Sequence, residues 1–238
     1  MSSYRKETMT TSTLIVTATA LEIAPCIVRE TGDVVEGFGR AGTLLSGPRC
    51  DILLSGVGQL QCAFHVGRIL STGRYGRVLQ AGIGGSFVDS LPLGSVAVVG
   101  EEVLGDLGAE DRGSFLDLFD MGLLSKGEFP FADKGLLAPV LDLKALQELP
   151  RVRSLTVNRV LSEAHSIAWA EKKYSPQVVN MEGAALFYAC LQQGVPFLSL
   201  RSISDRVGPR DKSSWDIQGA VSSLDRVLRL VLPEFLDR

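Results

Sequence analysis

The sequence is sparing with the residues that most often carry metal and redox chemistry. Two histidines and four cysteines are spread over 238 residues. His65 and His165 each lack a second ligand at i+4, so neither begins a helical metal pair, and structural roles are expected for both. Cys26, Cys50, Cys62 and Cys190 show no CxxC spacing and stand in apolar or turn contexts, as buried free thiols in a reducing compartment would. A GxxxxGK[ST] segment is missing, which excludes a P-loop. No GxGxxG follows a strand, which disfavours a dinucleotide, and no GxSxG elbow is present for serine catalysis. No cofactor is expected.

Long apolar runs and runs of one charge are missing as well. Leu14–Ala18 is too short for a signal h-region or a membrane span, so a soluble, cytoplasmic chain without a membrane partner is expected. The formal net charge is −3 and the pI near 5.5. Arg201, Arg206, Arg210 and Lys212 form the densest basic group, but Asp205 and Asp211 interrupt it. Nucleic acid is therefore not an expected partner, because phosphate binding needs a basic surface. No Pro/Ser-rich linker divides the chain. The polar residues 1–12 read as a disordered lead, and 13–238 as a single domain.

What is present is a regular alternation of apolar segments. Hydrophobic residues make up 45% of the chain, enough for a sizeable core. Continuous apolar runs at Leu14–Ala18, Asp51–Ser55, Arg77–Ala81, Ser95–Glu101, Leu155–Val157, Gln177–Asn180 and Pro196–Ser202 predict strands covered on both faces. Helices are expected between them: Gln59–Ser71 with Leu60, Phe64 and Ile69 near one face, Glu163–Tyr174 after an N-cap at Ser162, and Gly183–Gln193. A last helix, carrying Val221, Leu224, Val227, Leu228 and Val231, opens with a capping box at Ser213–Asp216. The Gly-rich stretches 39–47 and 105–135 read as hairpin and loop excursions. The expected fold class is α/β, with a mixed, mostly parallel central sheet flanked by helices.

Ligands in such sheets collect outside the carboxyl ends of the strands. Three acids fall there: Glu22 after "LIVTATAL", Glu182 after "QVVNM" and Asp205 after "PFLSLRSIS". Any one of them alone would read as a helix cap or a surface charge, and Glu182 in particular suits a helix dipole. Together they point to a site. The turns "SGVGQ" and "AGIGGSF" each follow a strand at the same edge, where glycine lets backbone approach a ligand. Arg201 ends a buried strand and needs an anion, either one of the acids or a substrate. Trp215 stands at the mouth of the last helix, as core or as a lid.

These residues carry a resemblance. "SGVGQ", "AGIGGSF…LPLGSVAVVGEEV", "VVNMEGAA" and "VPFLSLRSISD" occur in the order and spacing of the purine nucleoside phosphorylase/nucleosidase superfamily, from Leu14 to about Leu230. Within it the chain is similar to the hydrolytic branch, that is, methylthioadenosine/S-adenosylhomocysteine nucleosidases and, more closely, the futalosine hydrolases of menaquinone biosynthesis. The closer likeness lies in "EEVLGDLGAED" and "SISDRVGPRDKSSWDI".

The resemblance implies hydrolysis of the N-ribosidic bond of a purine nucleoside, with futalosine giving hypoxanthine and dehypoxanthine futalosine. Adenine release from methylthioadenosine or S-adenosylhomocysteine, or silent nucleoside binding, are the alternatives. It implies that Glu22 activates water and that Asp205 engages N7 of the purine. Glu182 would grip the ribose hydroxyls with Met181 against the sugar. Ile83 and Gly84 would line the pocket beside the sugar, Val160 and Leu161 would meet the base, and Trp215 would close over the substrate. It also implies a homodimer or larger assembly, for which Phe115, Leu116, Leu118 and Phe119 offer an apolar interface or a lid. One departure bears on the reaction. Where the hexameric phosphorylases carry Gly-Asp-Pro-x-Arg after the first strand, this chain reads "ATALEIAP". A carboxylate there would repel phosphate and could take a proton from water.

Overall fold

The computed structural model describes residues 12–31 and 39–237. Apart from Ser12, the expected N-terminal lead lies outside the described residues. The elements run in the order β1 (Ser12–Thr17), α1 (Pro25–Thr31), β2 (Leu44–Ser46), β3 (Cys50–Leu54), α2 (Gln59–Leu70), β4 (Tyr75–Ser86), β5 (Val96–Leu104), β6 (Gly108–Asp111), β7 (Ser114–Asp117) and β8 (Leu136–Leu137). They continue with β9 (Arg151–Thr156), α3 (Ala164–Tyr174), β10 (Val178–Asn180), α4 (Gly183–Gln193), β11 (Phe197–Arg206) and α5 (Ile217–Leu236). Single 3-10 turns at Ala20–Glu22, Lys144–Leu146 and Lys212–Ser214 join them.

Among the described residues nine strands form one sheet in the order β10-β9-β5-β11-β4-β1-β3-β2, with β8 beside β5. β1 pairs in parallel with β3 and β4, β11 with β4, and β9 with β5 and β10. The β5–β11, β2–β3 and β5–β8 pairs are antiparallel. The sheet is therefore mixed, with parallel pairs in the majority. An additional antiparallel pairing of β10 with the end of β4, Val178 to Ser86 and Val179 to Gly85, closes β4, β11, β5, β9 and β10 into a ring.

Both faces of the sheet are covered, which is why the strands read as unbroken apolar runs. Along β1, Leu14 and Val16 enter one core with Cys62 and Val66 of α2 and Leu186 and Phe187 of α4. Ile15 enters the opposite core with Ile27 of α1 and Leu224, Leu228 and Val231 of α5. A smaller third cluster joins Leu155, Val157 and Leu161 to Ala170 and Tyr174 of α3 at one end of the ring.

Several local expectations are corrected. Glu163, not Ser162, holds the N-cap position of α3, without a side-chain cap. The last helix is capped by Asp216, whose carboxylate accepts from the Gly219 amide at 2.8 Å, while Ser213 belongs to the preceding 3-10 turn. Leu60 and Phe64 of α2 face outward at 84% and 62% exposure, and the buried side of that helix is Cys62, Val66, Ile69 and Leu70. Within the Gly-rich excursion, Phe115 packs edge-on to Trp169 and Phe119 to Phe131. All four cysteines are buried and free of disulfides.

Candidate active site

"AGIGGSF" is strand rather than turn, because β4 runs on to Ser86 where β10 pairs with its end. Asp205 likewise lies within β11, just past a register shift at Ser204, and stands opposite Gly85. The bulge re-aims the side chain that follows it. Ser204 donates its hydroxyl to Asp205 Oδ1 at 2.7 Å and spans to the Gly84 carbonyl at 3.3 Å.

Glu22 sits five positions beyond β1, in the 3-10 turn Ala20–Glu22. Thr19 donates to its Oε1 at 3.4 Å, and the backbone amide of Ile83 also bonds its carboxylate. Glu182 occupies the N-cap position of α4 yet makes no side-chain cap to it. Its Oε1 instead accepts from the Gly58 amide at 2.9 Å, which is how the "SGVGQ" turn enters the site. The first amides of α4 are satisfied by other side chains: Asn180 Oδ1 accepts from Glu182 and Gly183, and Thr156 Oγ1 accepts from Ala184 at 2.8 Å. Glu182 is thus not placed there to cap its own helix.

Glu22, Glu182 and Asp205 line one cavity of about 310 Å³, within the range of small-molecule sites. Met181, Ile83 and Gly84 line it beside them, as do Val160, Leu161 and Trp215. The loop bearing Val160 and Leu161 is pinned by Asp106, which accepts from the amides of Asn158 at 2.6 Å and Arg159 at 3.2 Å. Trp215 is held by the adjoining Asp216, whose amide donates to the Ser204 carbonyl at 2.8 Å, and by Arg210, whose Cζ lies 6.0 Å from the indole centroid. His65 and His165 lie elsewhere, His65 against Gly42 and His165 beside Ser166.

Arg201 is the residue whose place in this arrangement the sequence left open. It is 2% exposed and makes no ion pair within 4.0 Å among the described residues; its Nη2 donates to Asn180 Oδ1 at 3.4 Å. A Cβ on Gly82 would fall 2.5 Å from Arg201 Nη1 and 2.7 Å from Glu22 Oε2, so a glycine in β4 is what leaves room for both groups beside the strand. The guanidinium favours the ionised forms of Glu22, Glu182 and Glu102 alike.

One cation among several buried acids leaves those acids hard to ionise. Burial, and then the neighbouring Glu182, push the Glu22 carboxyl up to about 7. Burial also raises Glu182, opposed by Arg201 and the Gly58 amide. Asp205 is raised by burial, with the Ser204 hydroxyl opposing. Sequence reasoning passes over Glu102, Asn180 and Thr156. The signals are Asn180 within "VVNMEG" and the doublet in "GEEV", where period-two alternation turns one acid outward and one inward.

The family comparisons agree with one another. The sequence profile of the Phosphorylase superfamily matches residues 12–232. The futalosine hydrolase of Streptomyces coelicolor is 31% identical over 231 residues, covering 90% of this chain and 95% of that one. Among solved structures, the 5'-methylthioadenosine/S-adenosylhomocysteine nucleosidase of Neisseria meningitidis, in complex with methylthio-immucillin-A, superposes with a TM-score of 0.73 at 19% identity. That match covers 94% of this chain and 99% of that one. The futalosine hydrolase of Helicobacter pylori gives a TM-score of 0.71 at 18% identity, covering 94% and 98%. With the sheet, the cavity and these likenesses together, the chain belongs to the phosphorylase superfamily, in the branch that holds the futalosine hydrolases.

Proposed function

We propose that this protein hydrolyses the N-ribosidic bond of a purine nucleoside, with futalosine as the substrate and hypoxanthine as the released base. The observation that carries the reading is the convergence of Glu22, Glu182 and Asp205, from three distant parts of the chain, on one nucleoside-sized cavity. The choice of futalosine rests on the likeness to the Streptomyces coelicolor enzyme. Adenine release from methylthioadenosine is the second reading, supported by the likeness to the Neisseria meningitidis nucleosidase.

In the proposed reaction the C1′–N9 bond breaks and its electron pair goes to the purine. Asp205, protonated, gives its proton to N7, so the base leaves neutral. Burial favours that protonated form near neutral pH. Glu22, ionised, takes a proton from the water whose oxygen bonds to C1′, in the two-carboxylate logic of inverting glycosidases. Glu182 accepts hydrogen bonds from the vicinal ribose hydroxyls, and such charge-assisted bonds orient as well as hold. Arg201, buried beside Glu22, keeps the cluster from being wholly anionic and helps Glu22 ionise.

Water rather than phosphate is the acceptor because Glu22 and Glu182 already strain one another electrostatically. A phosphate dianion beside them would add to that repulsion, and "ATALEIAP" offers no arginine to offset it. The enzyme is read as a single-domain, cytoplasmic homo-oligomer serving menaquinone biosynthesis.

The test is chromatographic detection of purine release from futalosine, methylthioadenosine and inosine, each with and without phosphate. Hypoxanthine from futalosine, unaffected by phosphate, is the expected result. Turnover only with phosphate would overturn hydrolysis, and preference for methylthioadenosine would overturn the substrate.

A further inference from the structure

Glu102 is fully buried on β5 and takes no part in the reaction above. Its neighbour Glu101 faces outward and pairs with Arg153 at 2.8 Å, while Glu102 points into the ring of strands. There its Oε2 accepts from Thr156 Oγ1 at 2.7 Å and its Oε1 from Asn180 Nδ2 at 2.7 Å. A Cβ on Gly183 would lie 1.8 Å from Oε1, so the first residue of α4 must be glycine for this carboxylate to fit.

Burial pushes the Glu102 carboxyl up to about 7, with Arg201 and the bonds from Thr156 and Asn180 opposing; in its ionised form it only accepts, and that fixes the direction of both bonds. The single hydroxyl proton of Thr156 is committed to Glu102, which leaves the oxygen to accept from the Ala184 amide. The amide group of Asn180 is committed to Glu102 and to Ser154 Oγ at 2.8 Å. Its Oδ1 is thereby turned to the amides of Glu182 and Gly183 and to Arg201 Nη2. Both chains of bonds start at Glu102 and end on the first turn of α4. An acid at an N-cap ordinarily folds down onto its own helix. Here that work is done from behind, and the carboxylate of Glu182 is left to the cavity.

We propose that Glu102 is a positioning residue of the active site: by setting the hydrogen-bond direction of Thr156 and Asn180, it holds the start of α4 and Arg201 so that Glu182 faces the substrate. The kinetic part of the test rests on the nucleosidase reading; the structural part does not.

The decisive variant is Glu102→Gln, of the same shape but with a donor at one end. With its nitrogen toward Asn180 it sets donor against donor; with its nitrogen toward Thr156 it turns the hydroxyl proton away and competes with the Ala184 amide for the Thr156 oxygen. The expected outcome is a folded protein whose kcat falls about 10- to 100-fold while KM changes by less than about threefold, as for a misplaced group acting in the transition state. Hydrogen exchange at the Gly183 and Ala184 amides should accelerate, with β1 and β4 unchanged. Asn180→Asp alone should be as impaired. In the double variant, E102Q with N180D, the introduced glutamine amide can donate to the introduced carboxylate. There kcat should recover to within about fivefold of wild type, the non-additivity of directly bonded partners.

E102Q folded, with kcat within twofold of wild type or with normal exchange at Gly183 and Ala184, would overturn the proposal. So would a lower melting temperature with undiminished kcat, the mark of a merely structural role. If E102Q does not fold, Thr156→Val and Thr156→Ser decide: Val should lower kcat and Ser should restore most of it, and equal kcat in the two overturns the idea. If wild type cleaves no nucleoside, the functional reading fails, while amide exchange in E102Q still decides whether Glu102 governs α4.

Discussion

The backbone amide of Gly58 donates to Oε1 of Glu182 at 2.9 Å, across 124 positions of sequence. The bond joins the turn after β3 to the start of α4, and it holds the carboxylate over the cavity rather than over its own helix. Two glycines of β4 and α4 and a buried arginine then set what surrounds it.

Glu182→Gln keeps the shape and loses the charge that the ribose hydroxyls would meet. Turnover should fall by about 10²-fold or more, the scale of losing a charge-assisted bond pair made in the transition state, while the melting temperature holds or rises. Steady-state purine release with calorimetry checks both. Near-normal turnover would remove Glu182 from the sugar site.

Asp205→Asn removes the proposed proton donor but preserves the bond from Ser204. The rate on nucleosides whose base must be protonated to leave should drop about 10²–10⁴-fold. The alkaline limb of the pH–rate profile, which reports the acid form of Asp205, should go with it. A profile that keeps that limb in the variant would assign the limb to another group.

Glu22 links activity and stability in opposite directions. As a base it works ionised, so kcat/KM should rise with pH through a limb near 7. Its folded value, about 7 against 4.5 in an unperturbed chain, means the folded state holds more protons in that window. Stability therefore falls as pH climbs from about 4.5 to about 7 and is level above, as far as this group is concerned. Glu22→Gln should abolish most activity yet raise stability at pH 8 by about 1–3 kcal/mol, with little change at pH 4.5. Thermal melts of both proteins at the two pH values decide this, and a destabilised variant at pH 8 would contradict it.

Gly82→Ala tests the close approach under β4. The new Cβ would press on Arg201 Nη1 and Glu22 Oε2, both far ends of flexible side chains. The fold should survive with a melting temperature within about 4 °C, the range of a 1 kcal/mol change in a domain of this size. Displacing Glu22 by even about an ångström should cost activity of the order of 10²-fold. Unchanged kcat/KM would mean that the Glu22–Arg201 arrangement is not needed.

The sequence is most legible where local rules act. The apolar run Leu14–Ala18 and the segment Gly183–Gln193, stopped by Gly194, lie within a residue or two of β1 and α4, since periodicity and helix stops are local properties. It is least legible where a partner strand decides. "AGIGGSF" looks like a turn, because glycines weaken a strand, and it is the pairing with β11, joined at its end by β10, that extends β4 through it. Spacing alone groups Leu60 and Phe64 with Ile69 near one face, although Cys62, Val66, Ile69 and Leu70 are the residues of α2 that share a core with α4.

By itself, then, the sequence determined the alternation of strands and helices, the carboxylates carried just beyond or at the ends of apolar runs, and membership of the superfamily. Those are written in side-chain polarity and short-range spacing. Only the tertiary structure decided that Glu182 leaves the capping of α4 to Asn180 and Thr156, that Arg201 lies among Glu22, Glu102 and Glu182, and that burial lifts Glu22 toward neutrality. Each of those depends on which groups share a dry interior, and desolvation and hydrogen-bond direction arise between residues far apart in the chain.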